Sequence, residues 1–549
     1  MKRFLSLLLV IVLSITMLAG CRKNKTDVDT DDEGEKVVSK VKDEERILRL
    51  DGDNLGYPSV YTVSPKGRGY LLTSFIFDTL TWKDENGIVP MLAKEWRVSE
   101  DNKVWTFTLA QNAKFTDGEP VTAEDVKFSF EYIQGHPYQW VSLNMVEKVE
   151  AVDAHTVKVT LKDVHAPFIT DVAGNVPIMP KHIWEDIKEP EKFNTKEAVI
   201  GSGPLMLEKY QEDTGVYVFV ANKDYFLGEP VIDRLILSPN NNSKEALEKG
   251  EIDGAQQIKY GEAMQIKKDG KFNVIEGPGF WVARLYLNYN EPVFGVKEFR
   301  QAMYYAINRE ELVEKATKNS GVPGNPGHIH PDSEWYYGGI KEYEYDPTKA
   351  NELLDKANIT DSNGDGIREF KGKQLKFELL TTEDRVDDAE MIKAYLGTIG
   401  IGLEIKSLDS KSLDALIKEG KFTLAINGHG SFGGDPVLLA RFASREGLSG
   451  FTPGITTQGG KNWANAEFDE IFAEQLTETD RDIRYKSVSQ LQEIIAEELP
   501  TLTLYYTKIT FAYNQDKFDG WFFTKDGVAL AVPTIQNKLV FIKGAWVDK

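Results

Sequence analysis

Residues 375–434 read LKFELLTTEDRVDDAEMIKAYLGTIGIGLEIKSLDSKSLDALIKEGKFTLAINGHGSFGG, and the hydrophobic periodicity alternates along the stretch. Runs at 375–380, 403–407 and 422–427 are strand-like, while 388–398 and 412–418 carry apolar residues at helical spacing. The order strand–helix–strand–helix–strand predicts a βαβαβ unit and therefore an α/β fold, because parallel neighbours need a crossover connection. In open α/β sheets ligands collect beyond the carboxyl ends of the strands. The last strand runs straight into Gly428-His429-Gly430-Ser431-Phe432-Gly433-Gly434, so that loop is the first place to expect a ligand.

Downstream, a helix is expected over 480–498, ended by Pro500, followed by two strands at 502–506 and 509–513. Upstream, Phe299, Met303 and Ile307 recur at helical spacing, and Asp346-Pro347 supplies an N-cap and N1 pair for a helix carrying Leu353, Leu354 and Ala357. Before about residue 290 the pattern is mainly β, with strands at 46–50, 104–109 and 157–161. Thr122 and Asp125 form a capping-box-like start for a helix whose Val126, Phe130 and Ile133 share one face. No internal repeat interrupts this order.

The chain has 549 residues, more than the roughly 250–300 that one core organises, so two or three packed units are expected. Hydrophobic residues make up 41%, an ordinary soluble composition that excludes general disorder and a polytopic membrane protein. The net charge of −21 argues against a nucleic-acid partner, whose phosphates the mean field would repel.

Lys2 and Arg3 precede an apolar run over 4–20, the pattern of an export signal and about three residues short of the roughly 20 that span a bilayer, with an uncleaved anchor as the alternative. Leu18-Ala19-Gly20-Cys21 resembles the bacterial lipobox, in which the cysteine is lipidated and the chain is cut before it. Cys21 is the single cysteine of the chain, so an intramolecular disulfide is excluded. The alternative for Cys21 is a free thiol in a discarded leader. From residue 22 to 45 the chain is polar, with Asp27, Asp29, Asp31, Asp32, Glu33 and Glu35 crowded together, as suits a flexible tether. These features place the body outside the cell, anchored to the outer face of a bacterial cytoplasmic membrane.

Phe77-Asp78-Thr79-Leu80, Pro90-Met91-Leu92-Ala93-Lys94-Glu95-Trp96, Trp105-Thr106-Phe107-Thr108-Leu109 and the run from Phe115 to Val126 form an ordered set. Gly201-Ser202-Gly203-Pro204, Gly250-Glu251-Ile252-Asp253, Phe299-Arg300-Gln301-Ala302 and Glu498-Leu499-Pro500 extend it. The set resembles the family 5 extracellular solute-binding proteins, the peptide- and nickel-binding receptors of ABC importers. The resemblance implies a two-lobed, periplasmic-binding-protein-like fold of type II, in the large subclass with an extra subdomain in the first lobe. Beside the signal peptide at 1–20 and the lipidated tether at 21–45 read above, the resemblance covers about residue 46 to the C-terminus and implies lobe I at 46–287 with an insert at about 84–198, lobe II at 288–504, and a return to lobe I at 505–549. The lobe crossings are expected near residues 279–290 and 502–510. The signature residues themselves have the spacing of a packed core, and the ligand is expected elsewhere.

In oligopeptide receptors of this family, the strand equivalent to 422–427 is followed by a Trp and, three residues on, by an Asp that pairs with the peptide α-ammonium. An ungapped count puts His429 and Phe432 at these positions, so the usual amine anchor is absent. Asp435 is an acidic substitute, although Asp435-Pro436 ahead of Val437-Leu438-Leu439 is also an N-cap with proline at N1. His429 is read as a ligand-contacting imidazole or a metal ligand, against a plain hydrogen-bonded side chain, and Gly430 lets a ligand approach the backbone. Arg68 and Tyr70 in the loop expected after the first strand, Trp281 and Arg284 near the crossing, and the stretch Trp335 to Tyr337 are candidate cleft residues, with core packing or surface solvation as the alternative. An arginine forks onto a carboxylate with two hydrogen bonds. His328-Ile329-His330 sets two imidazoles on one side of an extended segment, though Pro323, Pro326 and Pro331 read as a surface loop. Asp361-Ser362-Asn363-Gly364-Asp365-Gly366 matches the first half of an EF-hand loop. Gly372 occupies position 12, so Glu369 is the remaining oxygen donor for a structural calcium, beside the alternative of a metal-free polar turn.

No G-x-S-x-G, Walker A or H-E-x-x-H motif occurs. The expectation is a non-enzymatic, monomeric, lipid-anchored receptor without a required cofactor that closes over an oligopeptide and delivers it to an ABC permease. A nickel or metal–chelator complex is the second ligand class and an oligosaccharide the third. An extracellular hydrolase is the least supported reading.

Overall fold

The computed structural model describes residues 45–64, 67–138, 141–256, 258–430, 434–444, 463–528 and 532–547. Cys21, the acidic tether and Phe432 lie outside the described residues.

The βαβαβ unit forms as the periodicity requires. Strands Lys376–Thr382, Gly402–Leu408 and Leu424–His429 are joined by helices Val386–Gly397 and Ser410–Lys418. The first strand lies between the other two and runs parallel to both. These strands belong to an eleven-stranded sheet. Leu424–His429 pairs antiparallel with the long strand Asn273–Leu287, which pairs antiparallel with Leu502–Tyr513. Beyond them the sheet continues through Gly254–Ala255, Ile47–Gly52, Arg234–Pro239, Val216–Ala221 and Leu205–Gln211.

The two long strands connect two hydrophobic cores. One core is built from residues between Leu48 and Leu237 together with Phe511 to Phe541. The other lies between Ala283 and Tyr505, with a neighbouring cluster around Phe442, Phe468 and Phe472. They are called lobe I and lobe II below. Between them the ladder slips: Pro278 pairs with Lys508 and Val282 with Tyr506, leaving residues 279–281 as an irregularity. Phe280 there has φ of 50°. A Cβ on Gly279 would stand 2.4 Å from Thr507 Oγ1, so no side chain fits at the close approach of the strands. The expected pair of strands at 502–506 and 509–513 is one continuous strand, because Thr507 and Lys508 carry the chain between lobes instead of turning it.

A separate four-stranded antiparallel sheet, Ala93–Val98, Val104–Leu109, Thr156–Leu161 and Val146–Asp153, packs into the lobe I core. Its flanking helix Ala123–Gly135 starts at the Thr122–Asp125 capping box and buries Val126, Phe130 and Ile133. The Asp346 carboxylate likewise caps the helix Pro347–Lys356 by accepting from the Lys349 amide.

Several signature residues join distant parts of the chain. Ser202 Oγ, Tyr225 OH and Lys538 Nζ all donate to the Asp78 carboxylate, Lys538 at 2.5 Å, and both charged side chains are fully buried. Arg300 donates to the carbonyl and carboxylate of Glu498, and the Gln301 amide donates to the Glu497 carbonyl. Buried polar groups need such partners, so these motifs hold the fold.

Candidate functional site

The strand Leu424–His429 ends where the two lobes meet. Trp281, in the ladder irregularity, lies against it: a Cβ on Gly428 would fall 2.5 Å from Trp281 Nε1 and 2.4 Å from the Val282 carbonyl oxygen. Glycine at 428 therefore lets the indole close onto the strand. Trp281 keeps 38% of its surface exposed, whereas tryptophan is on average highly buried. Gly430 follows at the edge of the same indole. The His429 side chain lies outside the described residues, as do residues 431–433.

Asp435 follows at the other end of this loop and is fully engaged. Its carboxylate caps the 3₁₀ helix Pro436–Phe442 by accepting from the Val437 amide. Arg484 donates to both its oxygens, at 2.6 and 2.7 Å. Burial works to raise its pKa, and the guanidinium outweighs burial and holds the carboxyl below its ordinary range. The capping alternative describes this residue, and both oxygens already have donors.

The other sequence candidates separate. Arg68 forms an exposed ion pair with Asp53, at 2.6 Å. Tyr70 sits in the helix Gly67–Ser74, not in a loop, stacked on Trp82 in the core with its hydroxyl on the Gly174 carbonyl. Arg284 is buried within lobe II, donates to Tyr286 OH and lies over the Tyr286 and Phe442 rings. Trp335 is covered by Arg481 and Arg484, with guanidinium carbons 3.7 and 4.8 Å from the ring.

His328 and His330 are buried, which corrects the surface-loop reading. His328 meets Thr503 Oγ1 at 2.9 Å, whereas His330 packs edge-on against Phe280 and Tyr506. The two imidazoles thus face different neighbours.

In the acidic loop, Asp361, Asp365 and Glu369 bring oxygens within 4.8 Å of one another. Asp361 accepts from the amides of Gly364, Asp365 and Gly366, and Glu369 accepts from Ser362 and Asn363. The turn is closed by its own hydrogen bonds and presents a cluster of hard oxygen donors of the kind calcium takes.

The lobes touch along a seam beside the loop. The Ala166 amide donates to the Leu476 carbonyl at 2.7 Å. Lys525 reaches Glu334 at 3.8 Å, and the rings of Phe280 and Phe523 lie 6.0 Å apart. Lining a crevice on the lobe I side are Thr81, Lys83, Ile88, Ile169, Thr170 and Gly174. Next to it, in the short π-helix Ile169–Ala173, Asp171 is buried beside His165 at 3.8 Å. Burial raises the Asp171 carboxyl above its ordinary range, His165 opposes the rise, and the nearby Asp435 adds to it. Neither Lys83 nor Asp171 stands out in the sequence. The available signal was a lysine in a short strand whose neighbours Thr81, Trp82 and Asp84 are all core residues.

The model of the bacterial extracellular solute-binding proteins, family 5 Middle, matches residues 87–446. A probable D,D-dipeptide-binding periplasmic protein of Escherichia coli is 28% identical over 443 residues, covering 77% of this chain and 80% of the relative. The nickel-binding periplasmic protein of the same organism is 29% identical over 370 residues, 64% of this chain and 69% of the relative. The oligopeptide-binding protein AppA of Bacillus subtilis, solved with a nonapeptide, superposes with a TM-score of 0.73 at 22% identity, covering 91% of this chain and 99% of that one. The two lobes, the strands that cross between them and the match over most of the chain identify this protein as a member of the family 5 bacterial extracellular solute-binding proteins.

Proposed function

We propose that the protein captures an oligopeptide in the seam between its lobes and hands it to the permease of an ABC importer. Proteins of this family are receptors, and this chain is read as one that does no chemistry on its cargo. The observation that carries the peptide reading is the strand end at Gly428, lying under the half-exposed Trp281 at the crossing. A ligand of extended backbone can pair with Gly428–Gly430 in the manner of an added strand. Trp281 then supplies an apolar wall, and Phe432, at the position of the usual amine anchor, would give a further apolar contact. Contacts made by both lobes only in the shut state shift the population toward closure. Relatives named for dipeptides agree with this reading.

A nickel complex is the second reading, favoured by His429 in the same loop and by the nickel-binding relative. Native mass spectrometry of the protein as purified, with extraction of any bound molecule, separates the two. A peptide mass supports the first reading, and a nickel-bearing mass replaces it with the second. His429→Ala then tests the loop, since undiminished affinity would place the site elsewhere.

We further propose that the body is monomeric and tethered outside the cell by a lipid on Cys21, with calcium at Asp361, Asn363, Asp365 and Glu369 as a loop clip. Cys21→Ser should abolish acyl labelling, and unchanged labelling would remove the anchor from this account.

A further inference from the structure

Among the described residues nine non-glycine residues have a left-handed φ, and eight of them lie in turns, in loops or at a helix end. Phe280, at φ of 50°, is the one inside a strand, Asn273–Leu287. In that conformation the Cβ of a bulky residue crowds the carbonyl that follows it. The backbone keeps such a residue there only where its surroundings dictate it.

Those surroundings come from both lobes. The Phe280 side chain is buried, and its ring meets Phe523 of lobe I at 6.0 Å and His330 of lobe II at 5.4 Å between centroids. His330 is itself fixed, because its Nδ1 accepts from the Asp332 amide and its ring abuts Tyr506 on the other crossing strand. Two glycines make room for this arrangement. A Cβ on Gly277 would stand 2.5 Å from Phe523 Cδ2, and one on Gly279 would collide with Thr507. Residues 279–281 therefore bulge against the single Thr507, between the pairs Pro278–Lys508 and Val282–Tyr506. Trp281 follows directly, so the backbone at 280 sets where the indole lies, which is against Gly428.

We propose that Phe280 is a strained wedge between the lobes, wound into the left-handed conformation by closure and relaxed by opening, and that this motion carries Trp281 onto the ligand strand. The inference rests on the receptor reading above and adds how the crossing strands bias it. A lobe that swings about these strands withdraws either Phe523 or His330 from the ring. With one side free, the residue returns to the extended region. The strain therefore opposes closure, and the empty receptor stands open until ligand contacts outweigh it. Phe280 is a positioning residue, acting on the ligand through Trp281.

The test compares Phe280→Ala with Phe280→Gly, which lose the ring alike and differ only in the Cβ that disfavours the left-handed conformation. Dyes on Val152→Cys in lobe I and Ile483→Cys in lobe II, both exposed, report lobe separation in the full chain, with its single cysteine replaced as Cys21→Ser. In ligand-stripped protein the shut-to-open ratio should be at least about fivefold higher for Phe280→Gly than for Phe280→Ala. Calorimetry with trialanine should show the same factor in affinity. A merely structural role would move the melting temperatures of the two variants and leave their ratios equal. Equal ratios, or a higher one for Phe280→Ala, overturn the wedge, and the peptide receptor stands if trialanine still draws the dyes together. Ratios that differ as expected, with trialanine neither binding nor moving the dyes, keep the wedge and sink the peptide reading. A single dye separation in every variant, with and without trialanine, overturns both. The emission of Trp281, taken as parent minus Trp281→Phe, should follow the shut fraction, and emission indifferent to it overturns the coupling to Trp281.

Discussion

The backbone amide of Ala166 donates to the carbonyl of Leu476 across 2.7 Å, one lobe to the other. Ala166 precedes Phe168 of the lobe I core, and Leu476 belongs to the lobe II cluster around Phe468 and Phe472. On the receptor reading proposed above, this bond is made when the lobes are shut and lost when they part. Its net worth is about 1 kcal/mol, small enough that a ligand with contacts on both lobes governs the equilibrium. In hydrogen exchange the Ala166 amide should be protected in the ligand-bound protein and exchange faster once ligand is removed, while core amides stay unchanged. Equal protection in both states would show that this contact does not report closure.

Asp435 and Arg484 make a separate prediction. Asp435→Asn keeps the helix cap but leaves a guanidinium buried without its counter-charge. Breaking a buried pair from one side costs about 3–5 kcal/mol, so the urea midpoint of lobe II should fall markedly. A variant as stable as the parent would mean that the pair is solvated in solution.

His330 gives a pH dependence with a definite sign. Burial lowers its pKa from 6.5 to about 4, with Asp332 opposing the shift. The unfolded chain therefore binds a proton as pH falls below 6.5, whereas the folded protein does so only near 4. Its contribution is fully present above pH 6.5 and is lost between there and pH 4, by about 3 kcal/mol. His328, lowered by burial and then by Arg284, acts in the same direction. Denaturant unfolding from pH 7 to 4 should show a shallower loss for His330→Gln than for the parent, and parallel curves would contradict the assignment.

The acidic loop is tested by its ion. Calcium bound only to the folded form raises stability by about 2.7 kcal/mol at a hundredfold excess over Kd. The melting temperature should rise with calcium and return with chelator. Indifference to both would leave a turn held by the amides of Gly364, Asp365 and Gly366 alone.

What was legible in the sequence was what local chemistry decides. The Asp346 cap, the Thr122–Asp125 box and the three strands of the βαβαβ unit follow from residues a few positions apart. Contacts that close over long separations were not legible. Nothing near Lys538 announces Asp78, 460 residues away, and nothing near Asp435 announces Arg484. Thr507 and Lys508 look like a turn between strands because they are polar, and they are polar because the strand is crossing between two cores. The prolines around His328 and His330 imitate a surface loop, while Thr503 and Tyr506 of the crossing strand provide the buried partners. The loop at Gly428 is a candidate because a parallel strand ends there, whereas the Lys83 side of the seam has no motif.

Small-angle scattering on ligand-stripped protein titrated with trialanine tests the central claim, that capture and closure are one event. The account predicts a fall in the radius of gyration that saturates along the calorimetric binding curve. Saturable binding with no contraction, or a radius already minimal in the stripped protein, would contradict it.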